Sequence, residues 1–175
     1  MPTDVVHDPE IEGSATSADI AAESGISRAA PIFVVHGHDH AVLHHVVRVL
    51  ERATSREVTV LHEQANAGRT ILEKFEAHAV AASYAVVLLT GDDEGSAVGG
   101  TPKPRGRQNV IFELGFFFGT LGRQRVAVLL APGVEQPSDI AGLVYIAIDA
   151  AGAWKYELAR ELDAAGIPVA RERIP

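Results

Sequence analysis

An α/β fold of the doubly wound parallel type, a five-stranded sheet in flavodoxin-like 2-1-3-4-5 order, follows from three features of the sequence. Short continuous apolar runs alternate with longer stretches of helical periodicity; four of the five runs are rich in Val and Ile, as strands buried on both faces should be; and the loops after the first three runs are polar or carry glycine. The strands read as Ile32 to His36, Val58 to His62, Ala85 to Thr90, Val126 to Leu130 and Val144 to Ile148. Helical stretches follow at about 39 to 53, 69 to 82 and 107 to 121, with a short one near 137 to 142 and a last one at 154 to 165. Crossovers between parallel strands are right-handed, so this alternation places helices on both faces of the sheet.

At 175 residues and 47% hydrophobic content the chain makes one ordinary domain, with a core that needs neither disulfide nor metal. It has no cysteine, no apolar run as long as a membrane span and no secretory start, which predicts a soluble cytoplasmic protein. Residues 1–30 read as a disordered acidic tail: Asp4, Asp8, Glu10, Glu12, Asp19 and Glu23 face Arg28 alone, and the scattered apolar residues cannot offset the entropy of ordering. Residues 31–166 form the domain and 167–175 a short polar C-terminal extension. Most of the net charge of -8 therefore lies in the tail. The remainder lacks the basic field that phosphate backbones require, so no nucleic-acid partner is expected, while a pocket for a single nucleotide stays compatible.

In such a sheet, ligands bind beyond the carboxyl ends of the strands where strand order reverses. The loops to inspect are His36-Gly37-His38-Asp39-His40, the segment His62 to Thr70 and Thr90-Gly91-Asp92-Asp93-Glu94-Gly95. Gly37 lets the backbone turn sharply and approach a ligand, and Asp39 can cap the next helix, whose free N–H groups favour an anion. Taken singly, each loop fits a capping role as well as a binding one. His36, His38, His40, His44 and His45 crowd ten residues, but His36 closes a buried strand while His44 and His45 belong to a helix, so no metal site is expected.

The segment 107–122 is the least ordinary. At 100° per residue Val110, Leu114, Phe117, Phe118 and Leu121 form the stripe that packs on the sheet. Glu113 lies at the edge of that stripe, in a sector with Asn109, Phe116 and Thr120. A carboxylate among apolar groups is costly unless it is paired or used; the structural alternative to use is an ion pair with Arg105, Arg107 or Arg69. The far side carries Phe112, Gly115, Phe116 and Gly119, so the helix is apolar nearly all round. Such a helix needs cover on both sides, which predicts a homo-oligomer through the face bearing Phe112 and Phe116, or cover by the 96 to 106 loop or the tail.

Four ordered blocks carry a resemblance: Ile32-Phe33-Val34-Val35-His36-Gly37-His38-Asp39; Leu61-His62-Glu63-Gln64 with Gly68-Arg69-Thr70-Ile71; Val87-Leu88-Leu89-Thr90 with Asp92-Asp93-Glu94-Gly95; and Arg107 to Gly115. Together, and over about Pro31 to Gly166, they resemble the nucleotide-binding TIR-like domains of bacterial anti-phage effectors that respond to cyclic nucleotides. The resemblance implies a TIR fold and an NAD+ glycohydrolase that splits nicotinamide from ribose, with NAD+ as substrate and no cofactor. It makes Glu113 the catalytic glutamate, and it puts Gly37, His38, Arg69 and Asp92 around the dinucleotide, with Asn109 as a further substrate-binding position. Relatives of this type often carry a cyclic-nucleotide sensor or a membrane segment in the same chain. Here only a short polar end follows residue 166, so sensing is expected on another polypeptide, unless the chain is a fragment or a freestanding module.

Cleavage of an N-glycosidic bond passes through an oxocarbenium-like state that one carboxylate can stabilise or attack, and a neutral nicotinamide leaves without a strong general acid. Nucleophilic and electrostatic roles are both open to Glu113, as are linear and cyclised products. Two other readings stand beside this one: a non-catalytic TIR-type interaction or nucleotide-binding module, and a nucleoside deoxyribosyltransferase-like enzyme, which also uses a helix-borne glutamate. Arg69 and the open helix N-termini weigh against the second.

Overall fold

The computed structural model describes residues 30–60, 71–137 and 144–175. The tail expected over 1–30 lies outside them except at Ala30, as do the whole 62–70 loop with Arg69 and nearly all of the short helix near 137–142. Each strand run appears at its expected place: β1 (Ile32–Val35), β2 (Val58–Val60), β3 (Tyr84–Leu89), β6 (Val126–Leu130) and β7 (Val144–Ala147). They form one parallel sheet in the order β2-β1-β3-β6-β7, the expected 2-1-3-4-5 arrangement once an inserted hairpin is counted. That hairpin, β4 (Asp93–Gly95) and β5 (Lys103–Arg105), falls in a stretch expected to be loop. Its strands have no apolar alternation to announce them. They pair antiparallel with Asp93 opposite Arg105 and Gly95 opposite Lys103.

Alternation along the strands explains why the runs are continuously apolar. Ile32, Val34, Tyr84, Val86, Leu88, Ala127 and Leu129 point to one face, while Phe33, Val35, Ala85, Val87, Leu89, Val126 and Val128 point to the other, and both faces are buried. The first face is covered by α1 (His40–Thr54), through Leu43, Val46, Val49 and Leu50, and by α4 (Trp154–Ala164), through Trp154, Leu158 and Leu162. The second is covered by α2 (Ile71–Ala81), through Phe75 and Ala79, and by α3 (Gln108–Leu121), through Val110, Leu114 and Phe117. Here Phe33, Phe75 and Phe117 interlock, with ring centroids 4.9 to 5.9 Å apart. Burying each such ring contributes roughly 1.5–3 kcal/mol, and the tilted and edge-on contacts add to that.

Residues 167–175, expected as an extension, pack back on the domain. Ile167 is buried among the residues beneath α1 and α4, the Ala170 N–H donates to Ala53 O at 2.7 Å, and Arg173 donates to Ser55 Oγ at 3.1 Å. Among the described residues no helix is long and apolar enough to cross a membrane.

Candidate functional site

β1 and β3 are neighbours in the sheet, with Val35 opposite Val87, but the chain leaves them toward opposite faces. Their following loops therefore meet at the reversal point. Asp39 behaves as its position before a helix predicts, accepting from Val42 N at 3.0 Å and so satisfying a free N–H of α1. Gly37 has a structural role that the sequence did not show. It is buried, and a Cβ there would collide with the Asp92 carboxylate, so the missing side chain makes room for the neighbouring loop.

That carboxylate ties the loops together. Asp92 Oδ1 accepts from the His38 backbone N–H at 3.1 Å, and the Thr90 hydroxyl donates to Asp92 Oδ2. The exposed His38 ring reaches the start of α3, where Arg107 NH1 lies 2.7 Å from His38 Nε2. Thr90, Asp92, His38 and Arg107 thus form one connected line across three chain segments. Gly37, His38 and Asp92 come together as the sequence suggested. Asn109 is exposed in the first turn of α3 and makes no hydrogen bond to them, and Arg69 lies outside the described residues.

Glu113 stands one and a half turns into the helix that Arg107 opens. It is half-buried and forms no hydrogen bond or ion pair with any described residue; Arg107 acts on it only through its field. Burial pushes its carboxyl up from an ordinary 4.5 to about 7, and the Arg107 charge works in the opposite direction. The structural alternative of a fixed ion pair with Arg105 or Arg107 is therefore not adopted: Arg107 is hydrogen-bonded to His38, and the Arg105 guanidinium lies over Gly95 in the hairpin. Near pH 7 the group is divided between its ionised and neutral forms, which suits either charge stabilisation or proton exchange.

Sequence reasoning missed two members of this line. Arg107 entered as a possible partner for Glu113 and as the start of a resemblance block, and Thr90 as the end of a strand and the start of a crevice loop, neither with a role of its own. A hydroxyl directly after a buried strand and two residues before an aspartate is a local hydrogen-bonding signal that could have identified Thr90. For Arg107 no local signal exists, because its partner is 69 positions away. Among the described residues no group of three or more His, Cys, Asp or Glu side chains is arranged to hold a metal ion; the His36, His40 and His44 rings only stack loosely, at 5.8 and 6.3 Å.

The outer side of α3 differs from expectation at one residue. Phe116 is half-buried because α2 lies beside α3 on the same sheet face, and its ring meets Phe75 at 4.9 Å. Phe112 remains 59% exposed, and open space surrounds Gly115 and Gly119.

Residues 31–150 match the model of the CAP12/Pycsar effector protein TIR domain. The chain belongs to that family. It is also similar to the uncharacterized protein YuaY of Escherichia coli (strain K12), 46% identical over 143 residues that cover 81% of this chain and 48% of that protein. It is 32% identical to Protein tirC of Dictyostelium discoideum over 128 residues, 66% of this chain and 62% of the relative. The Pycsar effector protein BcPycTIR of Burkholderia cepacia is 50% identical over 66 residues, 36% of this chain and 21% of that protein. The TIR-domain chain thus spans from about a fifth to under two thirds of the length of these relatives. The matched region contains the Thr90, Asp92, His38 and Arg107 line and Glu113.

Proposed function

We propose that this TIR domain is an NAD+ glycohydrolase, releasing nicotinamide and ADP-ribose or a cyclised form, and that it serves as a bacterial anti-phage effector activated by assembly. The observation that carries the reading is Glu113: a half-buried carboxyl with no fixed partner among the described residues, its pKa raised to about 7, within the field of the Arg107 that reaches the loop after β1. In the ionised form it stabilises, or attacks, the cationic ribose as the glycosidic bond breaks, and nicotinamide departs neutral. The names of three relatives as Pycsar effector proteins support a role in that defence. Activation by a cyclic nucleotide then comes from sensing outside residues 31–150, in the same polypeptide or in another.

Assembly has its own support. An exposed phenylalanine beside two uncovered glycines on α3 allows a second copy to approach closely, with Phe112 rather than Phe116 as the principal contact. The same surface favours the non-catalytic reading, in which the domain only recruits partners.

Nicotinamide release separates the two. Purified protein at high concentration, or crowded to promote assembly, should release nicotinamide from NAD+, with kcat/KM falling as pH drops below about 7 and Glu113 protonates. Glu113→Gln should lower release by roughly 100- to 1000-fold while unfolding stays cooperative. Equal rates in the two proteins would remove the enzymatic reading and leave the interaction module.

A further inference from the structure

Arg107 is a cation whose nearest engagement is a neutral group. A guanidinium can only donate, so the 2.7 Å contact makes His38 Nε2 the acceptor and puts the ring proton on Nδ1. The half-buried arginine makes no ion pair or other hydrogen bond with a described residue. Asp92, the carboxylate tied to the same loop, has both oxygens engaged by the His38 N–H and the Thr90 hydroxyl. The line from Thr90 through Asp92 and His38 therefore holds the guanidinium across the crevice without neutralising it, and leaves most of its five donors unused.

A positioned planar cation with spare parallel N–H groups is the geometry that recognises phosphate oxygens in pairs. We propose that Arg107, held by His38, is the anion-binding group of the crevice and takes the pyrophosphate of the dinucleotide. This rests on the reading of the domain as acting on NAD+, and it assigns the pyrophosphate to the start of α3. Glu113, farther along the same helix, is left for the ribose. His38 then acts as a positioning residue, setting the direction of the guanidinium.

The test uses ADP-ribose binding by calorimetry, with inorganic pyrophosphate and nicotinamide riboside as probes, on the whole chain and on variants checked for cooperative unfolding. Arg107→Gln should weaken ADP-ribose binding roughly 10- to 100-fold and raise KM for NAD+ by a similar factor, with kcat little changed at alkaline pH, where Glu113 is ionised in both proteins. Arg107→Lys should recover part of the loss. His38→Leu should weaken ADP-ribose less than Arg107→Gln does, and His38→Gln, which keeps an acceptor, should lie close to the parent chain. Nicotinamide riboside, which has no phosphate, should be handled alike by parent and Arg107→Gln. Weak binding of free pyrophosphate, lost in Arg107→Gln, would support the same site.

ADP-ribose binding within twofold of the parent in Arg107→Gln would overturn the proposal. So would an equal loss for nicotinamide riboside, or a parent chain that does not bind ADP-ribose. A parent that binds ADP-ribose through Arg107 yet releases no nicotinamide would remove the glycohydrolase reading and leave the anion site standing.

Discussion

The two faces of the sheet are buried alike but covered differently. On one face α1 presents a clean stripe, and α4 departs from one only at Tyr156, an exposed ring that carries its own hydroxyl: Leu43, Val46, Val49, Leu50 and Ala53 point inward on α1 while His40, His44, His45, Arg48, Glu51 and Arg52 meet water. On α4, Trp154, Leu158, Ala159 and Leu162 are inward, with Glu157, Arg160 and Asp163 outward. On the other face α3 buries Val110, Leu114 and Phe117, yet it leaves Phe112 exposed and holds a half-buried Glu113 between the two sides. A helix whose polar and apolar sides agree with its packing is explained by the fold alone. One that puts a ring in water and half-buries an unpaired carboxyl retains groups that folding does not require, and those mark where function is to be sought.

Four measurements break or sharpen that contrast. The largest effect should come from Phe117→Ala, which empties the interlocked ring cluster and should cost about 3–5 kcal/mol in a denaturant titration. A loss below about 1 kcal/mol would mean that this face packs no more tightly than a surface. Glu113→Gln should stabilise the protein in a pH-dependent way. The folded state holds the Glu113 proton up to about 7 and the unfolded chain only to about 4.5, so the native carboxyl lowers stability progressively as pH rises between those values. After allowance for partial exposure, the variant should gain roughly 1–2 kcal/mol at pH 8 and nothing at pH 4. A gain independent of pH would show that burial of the charge is not the cause.

On the other face, Asp39→Ala should lose about 1 kcal/mol through the uncapped start of α1, and Asp39→Asn should recover most of it. Smallest of all, Phe112→Lys should change monomer stability by no more than about 0.5 kcal/mol, because the ring is exposed. Sedimentation at high concentration should nevertheless shift toward smaller species, and an unchanged profile would leave the exposed ring without an assembly role.

How much of this was legible in the residues varies with the reach of the interactions involved. Strand runs of Val, Ile and Leu declare themselves because a chain buried on both faces has no polar alternation; all five appear where the composition placed them, although β7 at the sheet edge buries fully only Ile146. The stripe of α3 and the place of Glu113 at its edge follow from the 3.6-residue period. The hairpin of Asp93–Gly95 and Lys103–Arg105 was not legible, since two three-residue strands of charged, Gly and Pro residues leave no apolar pattern. Nor was the docking of Ile167 and Ala170, three and six residues beyond the last helix, where helical periodicity no longer informs.

By itself the sequence determined the fold class, the sheet order and the helix that carries Glu113, because periodicity and burial are properties of residues close together in the chain. Tertiary structure alone decided that Gly37 yields its space to Asp92, that His38 rather than Glu113 receives Arg107, and that Phe116 turns to Phe75 while Phe112 stays in water. Those outcomes join positions tens of residues apart, and which donor meets which acceptor is settled only when the sheet brings the ends of β1 and β3 to one rim.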